Sequence, residues 1–132
     1  LLFAGLDLPL YWYHKVYEKR DFSIEDLKKI LPEPETDHPV LIAHDPEYFP
    51  LYAKWGAGLV LSGHVHGGIA RLPLVGGVLA PSLRPFPKYD AGQFRFGDST
   101  MVLSRGLGLH HIKLRFFNRP ELAVIDILAK KG

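Results

Sequence analysis

Short apolar runs alternate with longer amphipathic segments in the first part of the chain. Three continuous apolar runs have the length of buried strands: residues 1–6, 40–43 and 59–61. Between them, Ser23 to Asp26 has the pattern of a capping box that opens a helix through Leu31. Asp45 is a candidate cap for a second helix over residues 46–56. The alternation predicts a parallel β-α-β start.

After Gly68 the pattern changes, because glycines and prolines now separate short segments of strand character. The predicted strands cover residues 69–72, 77–80, 93–96, 100–103, 112–116 and 121–128, with residues 124–127 as a late strand. Spacing of this kind indicates antiparallel strands and hairpins. The expected fold is therefore of the α/β (α+β) class, with a parallel start followed by antiparallel strands.

Three histidines follow the ends of two predicted strands. His44 comes after residues 40–43, while His64 and His66 lie in the glycine-rich stretch Gly63 to Gly68 after residues 59–61. Parallel strands place their carboxyl ends along one edge of a sheet, so we expect His44 and His64 to be neighbours. If the stretch is extended, His64 and His66 face the same side. Imidazole is a common metal ligand, and the sequence predicts a metal site; a histidine-rich turn without an ion is the alternative.

Composition narrows the classes of function. The formal net charge is +2 and the pI is about 8.9, and no run of like charges indicates a nucleic-acid partner. The absence of cysteine from the sequence excludes disulfides and thiolate metal sites. No apolar stretch approaches the roughly 18 residues of a membrane-spanning helix. We therefore expect the chain itself to be soluble.

Residues 41–46, 59–68 and 104–108 together resemble segments of the C-terminal half of a calcineurin-like metallophosphoesterase. More narrowly, they are similar to bacterial predicted phosphohydrolases that often carry an N-terminal membrane anchor or export signal. The resemblance implies a β-sandwich flanked by helices, of which residues 1–132 would form a single partial domain. It also implies hydrolysis of phosphate mono- or diesters at two divalent metal ions, with manganese, iron or zinc as candidates.

The resemblance assigns metal ligands by position. His44 and His64 would bind one ion, and His66 would bind the other. The family's remaining ligands come from Asp-x-His, Gly-Asp-x-x-Asp and Gly-Asn-His motifs, none of which occurs in the sequence. No catalytic residue is therefore assigned here. Either the chain is a fragment or it has diverged and lost catalysis; the apolar strand pattern at its first residues favours a fragment.

A lone second half of such a domain would expose an apolar sheet face. We therefore expect association with the missing N-terminal half or with a second copy of the chain. The fragment alone should be inactive. The cellular location is left open; the resemblance allows association with a bacterial membrane or envelope through a segment outside the chain.

Arg105 lies in the stretch Ser104 to Gly108, which follows a predicted strand. An arginine among glycines can bind a phosphate group, so Arg105 is a candidate substrate-binding residue. The alternative is a structural turn in which Arg105 pairs with a carboxylate.

Two other functions remain open. One is a non-catalytic β-rich association module with a vestigial or structural metal site. The other is a mononuclear zinc hydrolase that uses His44, His64 and His66, although the sequence offers no obvious carboxylate base near them.

Overall fold

A computed structural model describes residues 1–9, 12, 22–72, 75–79, 85–108 and 114–128 of the chain. Within these residues the strands form a five-stranded sheet and a separate two-stranded sheet. The elements in chain order are β1 (Phe3–Leu6), α1 (Ile24–Ile30), β2 (Val40–Ala43), a 3-10 helix (Pro46–Tyr48), α2 (Phe49–Trp55), β3 (Leu59–Ser62), β4 (Ala70–Leu72), β5 (Gly76–Leu79), β6 (Gly92–Phe96) and β7 (Ser99–Leu103).

The larger sheet has the strand order β1-β2-β3-β7-β6. Strands β1, β2 and β3 are parallel neighbours, and α2 makes the crossover from β2 to β3. Strand β7 also pairs in parallel with β3, while β6 and β7 form an antiparallel hairpin on the far side. The parallel β-α-β start is confirmed, and the mixed sheet agrees with the predicted α/β class. The parallel return of β7 to β3 was not anticipated.

One face of the sheet forms the core. Leu41, Val60 and Met101 lie side by side on β2, β3 and β7, and all three are fully buried. Phe49 and Tyr52 of α2 belong to the same cluster of buried side chains. Burial of large apolar side chains against the sheet, each worth about 1.5–3 kcal/mol, fixes the helices on this face.

The opposite face of the sheet is partly open. Phe3 on β1 and Ile42 on β2 are 56% and 52% exposed. A groove on this face is lined by Ile42, Leu61 and Val102, and Leu122 and Ile125 of the C-terminal segment line it as well. This face thus exposes apolar side chains. A sheet with one face on the core and the other in solvent normally carries polar residues on the solvent face.

The predicted helices are present, with one difference in the second. Ser23 and Asp26 form a reciprocal capping box at the start of α1. Asp45 accepts a hydrogen bond from the amide of Glu47, so its predicted capping role is confirmed. The turn that Asp45 caps is a 3-10 helix rather than the start of one continuous α-helix.

The predicted strand over residues 121–128, including residues 124–127, is wrong. Residues 117–128 contain no strand, and their apolar side chains are largely exposed, with Val124 at 82% and Leu128 at 86%. β-Branched residues favour a strand only where a neighbouring strand offers hydrogen bonds. In the structure this segment instead lines the groove over the open sheet face, to which Leu122 and Ile125 contribute. Of the predicted strand 112–116, residues 112 and 113 lie outside the described residues, and Phe116 makes a single bridge to Ala70.

Candidate metal centre

His44 and His64 contact each other at the carboxyl edge of the parallel strands. His44 directly follows β2, and His64 follows β3 after a single glycine. Their ring centroids are 4.7 Å apart, and Nδ1 of His64 lies 3.0 Å from Nε2 of His44. The expectation that these two rings are neighbours is confirmed.

The distance between the two nitrogens is compatible with two chemical roles. Two nitrogens that bind one cation at about 2.1 Å lie about 3.0 Å apart at a right angle and about 3.4 Å apart at the tetrahedral angle, so these two rings are close enough to share a divalent cation. Without a cation, the same contact is a hydrogen bond in which one ring donates an N–H to the other. The ligand assignment therefore stays a prediction.

The backbone after β3 is a turn rather than an extended segment. His64 and His66 have φ angles of 67° and 49°, and Gly67 and Gly68 have φ angles of 73° and 85°. Residues other than glycine seldom adopt the left-handed region, and they do so mainly where the surroundings impose it. The stretch is therefore not extended, and the alternation of side chains along a strand does not determine which way His64 and His66 face.

The ring of His66 lies against a second loop, which follows β7. A Cβ atom placed on Gly108 would lie 3.4 Å from Cε1 of His66, and one placed on Gly106 would lie 3.8 Å from Nδ1. These distances are ordinary van der Waals contacts, so the loop lies beside the His66 ring. In the part of the chain that the structure describes, no group of three or more His, Cys, Asp or Glu side chains is arranged to hold a metal ion.

The residue after His44 is tied to α2. Asp45 is buried, and its carbonyl accepts a hydrogen bond of 2.9 Å from the hydroxyl of Tyr52. The carbonyl of His44 accepts a hydrogen bond from the hydroxyl of Ser62 at 3.1 Å. These contacts fix the backbone that carries His44 to both the helix and the neighbouring strand.

Arg105 pairs with a carboxylate and also lines a cavity. Its Nε donates to Glu121 Oε2 at 2.8 Å, and its Nη2 donates to the same oxygen. Arg71, Arg105 and Arg119 line a cavity of about 770 Å³, and Arg71 pairs with Asp90 at 2.9 Å. His44 lines the separate groove over the sheet face, about 490 Å³ in volume, and Glu121 lines that groove too.

Asn118 was not predicted to take part in the site. It is buried, and its amide nitrogen donates to the carbonyls of His66 at 2.7 Å and Gly68 at 2.6 Å. It is the only asparagine in the sequence. A lone asparagine distant in sequence from the histidines carries no local signal of this contact.

Three curated relatives match the chain. The uncharacterized metallophosphoesterase YkuE of Bacillus subtilis (strain 168) is 34% identical over 89 residues, which cover 67% of this chain and 30% of that protein. The phosphodiesterase YaeI of Escherichia coli (strain K12) is 35% identical over 98 residues, 74% of this chain and 35% of that protein. A transmembrane protein with metallophosphoesterase domain from Bos taurus is 35% identical over 108 residues, 79% of this chain and 23% of that protein.

The chain matches part of a metallophosphoesterase. The matched residues span about a third or less of the length of each relative, at 30%, 35% and 23%. The predicted resemblance is confirmed at this level. A mixed sheet with a parallel start and an antiparallel hairpin is consistent with a partial metallophosphoesterase domain.

No family model and no solved structure matches the chain.

Among its described residues, none of the helices has the length and apolar character needed to cross a membrane. The metallophosphoesterase relatives imply divalent metals in general, without identifying which.

Proposed function

We propose that this chain supplies part of a dinuclear metal centre that hydrolyses phosphate mono- or diesters. His44 and His64 bind one divalent cation, and His66 binds the second. The remaining ligands and the proton-transfer groups come from a part of the domain outside these 132 residues. The observation that carries the proposal is the 3.0 Å contact between two imidazole nitrogens at the carboxyl ends of neighbouring parallel strands.

The chain's own residues orient the ligands. Asp45, Ser62 and Tyr52 hold the backbone around His44, while the left-handed turn presents His64 and His66 from β3. When bound, two divalent cations neutralise charge on the phosphoryl group and activate the attacking water. Nitrogen ligands combined with oxygen ligands suit manganese, iron or zinc.

Arg105 is the candidate contact for the phosphate ester. A guanidinium has five N–H donors, and the contact with Glu121 uses Nε and Nη2. The cavity that Arg105 shares with Arg71 and Arg119 has three arginines and one carboxylate, Asp90, on its wall, and this excess of positive charge favours an anionic ligand.

The first test is metal binding by the chain. We expect Zn²⁺, titrated calorimetrically, to bind at least tenfold more weakly to His44→Ala and His64→Ala than to the unaltered chain, because each change removes a ligand. His38→Ala is the matched control, since His38 is exposed and also has a positive φ angle of 56°. Equal affinities for all four proteins would contradict the ligand assignment.

The second test is catalysis in a complete domain. The matched segment of the phosphodiesterase YaeI can be replaced by this chain and assayed with bis(p-nitrophenyl) phosphate and Mn²⁺. We expect hydrolysis that is lost in His64→Ala and retained in His38→Ala, whereas the chain alone should have negligible activity. Activity of the chain alone equal to that of YaeI would show that no ligands are missing.

A non-catalytic association module is the second candidate. It is favoured by the exposed apolar face around Phe3 and Ile42 and by the absence from the sequence of the other ligand motifs. A folded chimera that binds neither metal nor substrate would support this function over hydrolysis.

A further inference from the structure

Asn118 bridges two carbonyl groups of the histidine turn. Its Nδ2 lies 2.7 Å from the carbonyl oxygen of His66 and 2.6 Å from that of Gly68. Asn118 is 2% exposed, so both hydrogen bonds are shielded from water. An amide nitrogen has two N–H groups, and each can serve one of these carbonyls. The side chain therefore clamps the residues on both sides of Gly67.

The segment around Asn118 also holds the loop against which the His66 ring packs. We call residues 114–121 the C-terminal strap. Nη2 of Arg115 donates to the carbonyls of Arg105 at 3.0 Å and of Gly106 at 3.2 Å, and also to that of Gly108. The amide of Glu121 donates to the carbonyl of Gly106 at 3.1 Å. The strap thus sets the positions of the turn and of the loop on which the ring of His66 rests.

The side chains of Asn118 and Arg105 pack closely against Gly67. A Cβ atom on Gly67 would lie 2.7 Å from Oδ1 of Asn118 and 2.7 Å from Cγ of Arg105. Oδ1 of Asn118 is buried and makes no hydrogen bond in the described part of the chain. The orientation of the Asn118 amide is therefore determined by the two hydrogen bonds that its N–H groups donate. An ionised aspartate side chain has no N–H group to donate.

We propose that Asn118 is a positioning residue for the metal centre, acting on His66 by fixing the backbone on both sides of Gly67. This inference rests on the proposed function for the metal ligand role of His66. Its geometric part, that Asn118 determines the position of the His66 ring, stands independently of any metal. Mutation of a group that orients a metal ligand typically lowers metal affinity about 10- to 100-fold.

Two variants disturb the clamp in different ways. Asn118→Asp keeps the size of the side chain but places a carboxylate oxygen against the two carbonyls. Gly67→Ala keeps the amide and forces it away by steric contact. Gly97→Ala is the matched control, because Gly97 also has a positive φ angle, of 56°, and nothing lies within 4 Å of its added Cβ.

The measurements are the Zn²⁺ dissociation constant by calorimetry and the imidazole resonances of His66 by NMR without metal, on proteins whose circular dichroism shows a native fold. In the chimera with YaeI, we expect Asn118→Asp and Gly67→Ala to weaken binding of the Zn²⁺ ion assigned to His66 by about 10- to 100-fold, and in the chain alone we expect both changes to shift the His66 resonances. Gly97→Ala should change neither. His38 resonances should stay unchanged in all variants.

The outcomes distinguish the positioning role of Asn118 from the proposed metal-binding function. Folded Asn118→Asp and Gly67→Ala proteins with unchanged His66 resonances and unchanged Zn²⁺ affinity would overturn the positioning role. If the unaltered chimera binds no Zn²⁺ but the His66 resonances of the chain still shift in both variants, the proposed function fails and the geometric role of Asn118 is supported.

Discussion

Two side chains near the histidines donate hydrogen bonds to backbone carbonyls. Asn118 holds the His66 and Gly68 carbonyls, and Tyr52 holds the carbonyl of Asp45. A left-handed conformation costs a residue such as His64 about 1–2 kcal/mol, so its presence requires compensating contacts. Strained backbone conformations cluster at active sites, ligand clamps and switch regions.

At this scale the role of Arg105 can be tested through Glu121. We expect Arg105→Gln and Glu121→Gln to show a coupling energy of about 1 kcal/mol in a double-mutant cycle measured by urea unfolding, because both side chains are about a quarter to a third exposed, at 27% and 30%. The exposed pair Lys28 and Glu33 is the control and should show no measurable coupling. The absence of coupling between Arg105 and Glu121 would leave Arg105 available for an anion.

At the scale of elements, local sequence signals predicted the parallel half of the fold. The predicted apolar runs 40–43 and 59–61 form β2 and β3. Ser23 and Asp26 form the predicted capping box at the start of α1. Residues 124–127 form no strand, because strand formation depends on packing against neighbouring strands, which the local sequence does not specify. The contact between His44 and His64 was predictable from topology alone, whereas the left-handed turn before His66 depends on tertiary contacts that no local pattern reveals.

The crossover helix offers a test of how His44 is held. Tyr52→Phe removes the donor to the buried Asp45 carbonyl, and Tyr48→Phe removes a similar donor to the carbonyl of Trp12. We expect each to lower the free energy of unfolding by about 1–3 kcal/mol, measured with urea. Only Tyr52→Phe should also weaken Zn²⁺ binding, since only it releases the backbone beside His44. Equal Zn²⁺ affinities in the two variants would contradict this role of α2.

On the scale of the whole molecule, the two faces of the sheet differ in what covers them. The helices bury Leu41, Val60 and Met101 completely, while Ile42 on the other face remains half exposed. An open apolar face is expected from the sequence, because the resemblance implies one half of a two-sheet domain. The resemblance could not anticipate that the segment from Leu122 to Ile125 would line part of this face without forming a strand.

This open face should make the chain self-associate when no other partner is present. We expect sedimentation velocity to show a concentration-dependent dimer for the unaltered chain, because burial of Phe3 and Ile42 removes apolar surface from water. Ile42→Lys places a charge at the centre of the face and should give a monomer. Val75→Lys is the matched control, since Val75 is 58% exposed on the turn between β4 and β5, and it should still dimerise. A dimer that persists in Ile42→Lys would place the contact elsewhere, and a monomer at all concentrations of the unaltered chain would show that the exposed face does not drive association.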